Sequence, residues 1–179
     1  EDGLSQSSVF AIIQDGDGFM WFGTRDGLNR FDSRRFKVYR NIKGDSTSLA
    51  SSEINCLTID KQNRLWVGTR LGLHLYDKVS DNFIRISLTQ AEKGYTNLES
   101  IRGLLSDANG RLWILSGTRV FVSNKENPFL FDLVDVPNPN KSGTRKSVMR
   151  NIFEDSKGNI WISNNNHLYK VIHNTLGEI

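Results

Sequence analysis

The sequence predicts an all-β protein that repeats one structural unit four times, and three observations support this prediction. The four tryptophans recur at steps of 45, 47 and 48 residues. An aspartate stands six residues before each tryptophan, and a glycine or asparagine stands three residues before it. The repeat positions are the tryptophans Trp21, Trp66, Trp113 and Trp161; the aspartates Asp15, Asp60, Asp107 and Asp155; and Gly18, Asn63, Gly110 and Gly158.

Each unit begins with a short apolar stretch that ends at the repeat aspartate, and we predict that this stretch is the first strand. The four stretches are Val9 to Asp15, Ile54 to Asp60, Ile101 to Asp107 and Met149 to Asp155. The step from Asp to Gly or Asn predicts a hairpin turn. The carboxylate accepts from backbone N–H groups two or three residues on, and Gly or Asn tolerates a positive φ.

Three further strands follow in each unit. The β-branched and aromatic residues around each tryptophan favour a second strand, Phe19 to Thr24 in the first unit. After a turn at Arg25 to Gly27, a third strand runs from Leu28 to Asp32 and a short fourth from Phe36 to Arg40. Polar connectors separate the units, at Asn41 to Ser52, Thr89 to Leu98 and Pro137 to Ser147.

A four-stranded antiparallel meander of about 45 residues has the period and strand number of a β-propeller blade. We therefore predict a β-propeller fragment of about four blades, at residues 7–45, 52–90, 99–136 and 147–179. The last blade is expected to be incomplete and to end within or just after its third strand. A many-stranded β-sandwich is the alternative, but it gives no reason for Trp, Asp and Gly to recur at a fixed phase. In this interpretation the tryptophans fill the space between blades, and the aspartates close hairpins.

Composition argues against several classes of function. The net charge is +3 and the basic residues are dispersed, whereas nucleic-acid binding requires a concentrated basic stripe. The cluster of Arg34, Arg35 and Lys37 is interpreted as a solvated turn. The single cysteine, Cys56, excludes an internal disulfide and is expected to be a small core residue. No apolar run is long enough to cross a membrane, so we expect neither nucleic-acid nor membrane contact.

No catalytic residue, metal site or cofactor is predicted. The segment Asp15-Gly16-Asp17-Gly18 has Phe19 where a calcium loop needs its next oxygen ligand, and it fits a hairpin turn better. Among His74, His167 and His173, none lies in a helical segment with the acid of a phosphoacceptor helix. We expect the ring of His74 to be packed or on the surface rather than to bind a ligand.

The candidate ligand-binding residues lie in the turns after the second strand of each unit. If the first strand is innermost, these turns share one face with the connectors and lie near the ring axis. Their Arg, Asn and Asp side chains suit hydroxyl and carboxylate groups, and arginine binds sulfate or uronate groups in a bidentate manner. The candidates are Arg25, Asp26, Arg70, Arg119, Asn164, Asn165 and His167. Taken singly, each is better explained as an ordinary polar turn residue, and as a set they are the best candidates.

The segments Asp15 to Asp32 and Asp60 to Asp77 resemble two-component regulator propeller repeats. The third unit departs from the pattern at Leu115 to Arg119, and the fourth departs at Ser163 to His167. The opening residues Gly3 to Val9 are similar to the start of the sensor region in hybrid two-component regulators of Bacteroides type.

The resemblance implies a periplasmic sensor module of an inner-membrane histidine kinase, which detects polysaccharide-derived oligosaccharides and regulates genes for their utilisation. It also implies that this chain holds only part of a larger propeller. An open stack of blades leaves two apolar faces uncovered, so we expect self-association, as a homodimer. The alternatives are a scaffold for protein interactions and, third, a propeller lyase or hydrolase.

Overall fold

The computed structural model describes residues 3–88, 100–125, 127–135 and 147–172, together with the backbone of 175–178. Within these ranges every regular element is a β-strand, and the strands form four antiparallel four-stranded sheets. This confirms the predicted fold class, a β-propeller fragment of four blade-like meanders. The chain divides into two compact units, Glu1–Ile101 and Arg102–Ile179.

The first unit contains two meanders in which strands pair in chain order. The first sheet consists of β1 (Val9–Gln14), β2 (Met20–Thr24), β3 (Gly27–Phe31) and β4 (Phe36–Tyr39), and the second of β5 (Ile54–Ile59), β6 (Leu65–Thr69), β7 (Gly72–Asp77) and β8 (Asn82–Ile86). Apart from a bulge near the start of β1 and of β5, the register is regular. The predicted strands of these two blades are therefore confirmed to within one or two residues.

The second unit contains the other two meanders. The third sheet consists of β9 (Ile101–Ser106), β10 (Leu112–Ser116), β11 (Arg119–Ser123) and β12 (Phe131–Val134), and the fourth of β13 (Asn151–Glu154), β14 (Ile160–Ser163), β15 (Leu168–Ile172) and β16 (Thr175–Glu178). We expected the fourth unit to stop within or just after its third strand. The structure adds a short fourth strand, β16, which pairs along β15 from Ile172↔Thr175 to Tyr169↔Glu178.

The repeat aspartates tie each first hairpin to its tryptophan. In the first sheet, Asp15 Oδ1 accepts from the N–H groups of Asp17 and Phe19, both at 3.0 Å. Its Oδ2 accepts from Trp21 Nε1 at 2.7 Å. In the other sheets, Oδ2 of Asp60, Asp107 and Asp155 likewise accepts from Nε1 of Trp66, Trp113 and Trp161 at 2.7, 2.8 and 2.9 Å. The Oδ1 atoms of these aspartates accept from backbone N–H groups of the turn. The predicted hairpin role is thus confirmed, and the indole bond is an addition that the sequence analysis missed.

The turn positions also behave as predicted. Gly18, Gly110 and Gly158 have φ values of 90°, 79° and 76°, and Asn63 has a φ of 56°. This left-handed conformation suits glycine and asparagine better than other residues. The Asp15 segment is therefore a hairpin turn, as expected, and the Asp17 side chain contacts Lys78.

Within each unit, a tryptophan packs between neighbouring sheets. Trp21 is fully buried and meets Tyr76 of the second sheet edge-on, with ring centroids 4.9 Å apart. Trp113 is also fully buried, in a core that includes Ile160, Ile162 and Tyr169 of the fourth sheet. These contacts agree with the predicted role of the tryptophans and account for their recurrence, because a large ring buries much apolar area.

In the first two sheets, a glycine on the second strand pairs with a side chain on the first strand. Ala11 pairs with Gly23 in the first sheet, and Cys56 pairs with Gly68 in the second. A Cβ on Gly68 would lie 2.4 Å from Cys56 Sγ and 2.7 Å from Ile101 Cγ2, so no larger residue fits there.

The third sheet reverses this arrangement. The glycine is Gly103, on the first strand of that sheet, and the large residue is Leu115 on the second. A Cβ on Gly103 would lie 2.9 Å from Leu115 Cδ1. Leu115, at which the third unit departs from the repeat pattern, therefore packs against Gly103.

Candidate functional site

The turns after the second strands lie beside the connectors that lead into the blades. In the first unit, the N–H of Gly27 donates to the carbonyl of Ser52 at 2.8 Å, and the N–H of Arg70 donates to that of Glu53 at 3.0 Å. In the second unit, the N–H of Met149 donates to the carbonyl of Gly117 at 2.9 Å. Turn and connector thus share one end of each unit, as predicted.

In the first unit, the three candidate side chains at this end are exposed. Arg25 lies over the ring of Phe10, 5.7 Å from its centroid. Asp26 accepts from Arg40 Nη2 at 3.2 Å, so its carboxylate is already paired. Arg70 is 70% exposed and lies 3.7 Å from Glu53, a distance that leaves the guanidinium largely solvated. Arg25 and Arg70 therefore present hydrogen-bond donors to solvent from equivalent turns.

In the second unit, the candidate residues mainly build their own turn. Asn164 Oδ1 accepts from the N–H groups of Asn166 and His167 at 2.9 and 2.8 Å. Asn165 Oδ1 accepts from Arg150 Nε at 3.1 Å. Arg119 begins β11, where it pairs with Ser116. Asn164 thus has a structural role in this turn, and the ligand-binding role of the whole set stays a prediction.

A network around Asp81 was missed by the sequence analysis. This carboxylate accepts from the hydroxyls of Tyr39 and Tyr76 and is paired with Lys37 and with Arg30, the last at 3.4 Å. Burial raises the pKa of Asp81, but the hydrogen bonds outweigh it and bring the value to about 2. Burial and the bond to Asp81 also raise the pKa of Tyr39.

The predicted solvated turn of Arg34, Arg35 and Lys37 is wrong for Lys37. Arg34 and Arg35 are exposed, and their N–H groups donate to Asp32 Oδ1, as expected for a solvated turn. Lys37 instead lies on β4 and binds Asp81 of the second sheet. The five groups of the network come from three strands and one turn, and no sequence motif links them.

His74 is a packed residue, in agreement with one of the two environments expected for it. It is 1% exposed, and its Nε2 accepts from the N–H of Ala50 at 2.9 Å. Burial, followed by the nearby charge of Arg85, lowers its pKa from 6.5 to about 4, so the ring is neutral at pH 7. Asn29 has the equivalent place in the first sheet and accepts from the N–H of Ser5 at 2.8 Å. In both pairs the two residues are 24 positions apart.

The thiol of Cys56 lies against Gly68 and the carbonyl of Ile101, and burial raises its pKa. Within the described ranges, His, Cys, Asp and Glu side chains form no group of three that could hold a metal. No helix among those residues is long and apolar enough to cross a membrane. His173 lies outside the described residues.

Three segments of the chain match the two component regulator propeller family, at residues 3–26, 48–70 and 143–166. The first two agree with the resemblance seen in the sequence. The third covers most of the fourth unit, including residues where that unit departs from the pattern.

A segment of 49 residues is 63% identical to Histidine kinase P4 of Formosa agariphila. The match covers 27% of this chain and 4% of that kinase.

Solved structures share the fold. The chain aligns over 96% of its length with the extracellular domain of BT4673 from B. thetaiotaomicron, described as a hybrid two-component system. The TM-score is 0.75 at 24% identity, and the alignment covers 25% of that chain. Virginiamycin B lyase from Staphylococcus aureus aligns with a TM-score of 0.70 at 13% identity, over 99% of this chain and 58% of the lyase. At these identities the likeness shows the fold alone.

The family matches and the solved structures agree on a propeller-type fold. The chain spans a quarter or less of the length of the histidine kinase and the extracellular domain described above. Three segments of this chain match two-component regulator propeller repeats, and the chain shares its fold with the extracellular domain of a hybrid two-component system.

Proposed function

We propose that this chain is part of the periplasmic ligand-sensing propeller of a hybrid two-component histidine kinase. Its ligand would be an oligosaccharide released from a polysaccharide, and binding would regulate genes for the use of that polysaccharide. The repeats, the histidine kinase relative and the extracellular fold match support the sensor role. Kinase activity would reside in the full-length protein, outside this chain.

The observation that carries the ligand proposal is the pair of exposed arginines at equivalent turns, Arg25 and Arg70. Both lie at the end of the first unit where turn and connector meet. A guanidinium forms paired hydrogen bonds with a carboxylate or sulfate group. An oligosaccharide that carries uronate or sulfate groups therefore fits this end best.

The test is thermal unfolding of the chain with neutral, uronic and sulfated oligosaccharides. A ligand at a hundred times its dissociation constant stabilises the native state by about 2.7 kcal/mol, which raises Tm measurably. We expect the acidic sugars to raise Tm and the double variant R25A/R70A to lose the effect. The double variant R34A/R35A removes two exposed arginines from the β3–β4 turn and should keep it.

Three outcomes would contradict the proposal. If both double variants lose the Tm shift equally, the shift depends only on the net charge of the chain. The absence of a shift with every sugar would favour a scaffold role. Consumption of a sugar during the assay would point to a lyase or hydrolase.

We also propose that the chain associates with a second copy of itself through uncovered apolar faces. Phe10 and Ile12 are 49% and 60% exposed on one face of β1, and Phe153 on β13 is 64% exposed. Trp161 is partly exposed, whereas the other tryptophans are fully buried. Sedimentation velocity should detect a dimer that I12K weakens, and a monodisperse monomer at all concentrations would refute this proposal.

A further inference from the structure

A cleft of about 160 Å³ opens in the first unit, between β4, the connector that follows it and the start of β8. It adjoins the turn that carries Arg25, because Arg40 on its rim is paired with Asp26 of that turn, but neither Arg25 nor Arg70 lines it. Its lining combines apolar side chains with acceptor groups, and it includes Val38, Tyr39, Ile42, Asp45, Asp81 and Asn82.

The connector is fixed against the second sheet, so the cleft is present before any ligand binds. The N–H of Phe83 donates to the carbonyl of Thr47 at 2.8 Å. Arg85 Nη2 donates to the carbonyl of Asp45 at 3.1 Å. Ser48 Oγ accepts from the N–H of Ile42 at 3.0 Å and donates to the carbonyl of Asp45 at 2.9 Å. A preformed cleft costs a ligand less ordering entropy than one that must assemble.

Two polar groups of the lining retain hydrogen-bonding capacity. Asp45 Oδ1 accepts from the N–H and the hydroxyl of Thr47 at 2.8 and 2.6 Å, which leaves Oδ2 to accept from a ligand. Asn82 contacts Ser80 Oγ at 2.6 Å through one end of its amide, which leaves the other end for a ligand. A ligand that both donates and accepts, such as one bearing several hydroxyl groups, matches this pair.

The charges around the cleft are compensated by neighbours. Asp81 is paired with Lys37 and Arg30. Arg40, on the rim, is paired with Asp26 at 3.2 Å. The hydrogen bonds from Thr47 lower the pKa of Asp45, and the nearby charge of Arg85 contributes. The charged groups in and around the cleft are thus of both signs, and a neutral ligand is favoured.

The size of the cleft limits the ligand. Ligand pockets for drug-sized molecules have about 300–1,000 Å³, and this cleft is smaller. Its volume equals that of about five water molecules in the liquid, which is enough for one six-membered ring with its substituents. Ile42, which is 59% exposed, provides an apolar surface at the rim for the C–H face of such a ring.

We propose that this cleft binds a single neutral sugar ring, as a second carbohydrate site on the first unit. The site adjoins the acidic-sugar site of the preceding section but uses neither of its arginines, so it does not depend on it. Its contacts are the carboxylate of Asp45, the amide of Asn82 and the side chain of Ile42. A ligand of this size with two polar contacts binds with a dissociation constant on the order of 1 mM.

The experiment is an NMR titration of the ¹⁵N-labelled chain with methyl glycosides of glucose, galactose and mannose. Glucosamine and methyl glucuronide serve as the cationic and anionic probes. We expect saturable shifts of the backbone amides of Thr47, Asp81 and Phe83 with at least one neutral glycoside, and weaker responses to both charged sugars.

A pair of matched variants locates the site. The variant I42R places a long side chain across the cleft and should weaken binding at least tenfold. The variant V79R makes the same change at a position that is 97% exposed and outside the lining, and should bind like the parent chain. Both positions are exposed, so both variants are expected to fold.

The proposal fails if no neutral glycoside gives saturable shifts at these amides, if a charged sugar binds more tightly, or if I42R binds as the parent does. If uronic or sulfated oligosaccharides still raise Tm in I42R, the acidic-sugar proposal is supported even when no neutral glycoside binds the cleft. The two proposals are therefore tested separately.

Discussion

The variant H74N is predicted to remove most of the pH dependence of stability of the first unit between pH 7 and pH 5. Asn29 shows that asparagine can hold the same place, because its Oδ1 accepts from a backbone N–H 24 residues earlier, as His74 Nε2 does. Asparagine does not titrate. The exchange therefore keeps the acceptor and removes the proton-binding site.

The magnitude follows from the pKa of His74, which burial lowers from 6.5 to about 4. Between these two values the unfolded chain binds a proton that the folded chain excludes, so stability falls as pH falls. The contribution is fully present above pH 6.5 and is lost on the way down to pH 4. Linkage gives a loss of about 2 kcal/mol between pH 7 and pH 5 and about 3 kcal/mol by pH 4.

The assay is urea unfolding at pH 7 and pH 5, followed by the NMR signal of the Ala50 amide. The parent chain should lose about 2 kcal/mol more than H74N over this interval. At pH 7 the variant should be less stable by about 1–3 kcal/mol, because asparagine leaves part of the imidazole volume empty. Asp81, whose pKa is about 2, stays ionised in the folded state throughout.

Equal pH dependence in the two proteins would refute the reasoning, since it would mean that the His74 ring binds a proton as readily in the folded chain as in the unfolded chain. Comparing the proteins as a difference cancels the titration of the other histidines. An NMR titration of the His74 ring provides an independent check, with a midpoint near pH 4 expected in the folded chain.

Three further predictions concern stability and reactivity. The variant D107N should destabilise the second unit by about 2–4 kcal/mol in urea unfolding, because the new NH₂ group faces buried donors. The exposed turn variant D32N should cost less than about 1 kcal/mol, and a similar cost for both would contradict the buried role. The variant G68A should cost about 1–3 kcal/mol through its clash with the Cys56 thiol, and C56G/G68A should recover part of it. In the native chain at pH 8, Ellman's reagent should leave Cys56 unreacted until urea unfolds the first unit, and immediate reaction would contradict the packing of its thiol against Gly68.

The repeat architecture could be predicted because its signals are periodic. Trp21 and its counterparts occupy one phase, and their large rings need the same neighbours in each sheet. The hydrogen-bonding role of Asp15 could be predicted in part, because an Asp-x-x-Gly step is a local turn signal. The bond from Asp15 to the indole was missed, although the fixed six-residue separation was visible in all four units.

The Asp81 network could not be predicted from periodicity. Its partners Arg30 and Tyr39 lie 51 and 42 residues away, at repeat positions that differ from one another. Their meeting depends on how the second sheet packs on the first. The partner of His74 is a backbone N–H, and this group carries no sequence signal. The position of Arg25 and Arg70 at one end of the unit could be predicted, because it follows from hairpin geometry alone.

The exchange of large and small residues between β1–β2 and β9–β10 has a consequence for chimeras of such units. In each hairpin the two strands share one volume, with glycine on the second strand at Gly23 and Gly68 but on the first strand at Gly103. A chimera that exchanges complete hairpins keeps each glycine with its own partner across the hairpin. A chimera that joins β5 to β10 would place Cys56 opposite Leu115 and fill this volume twice. The second chimera should therefore be the less stable of the two.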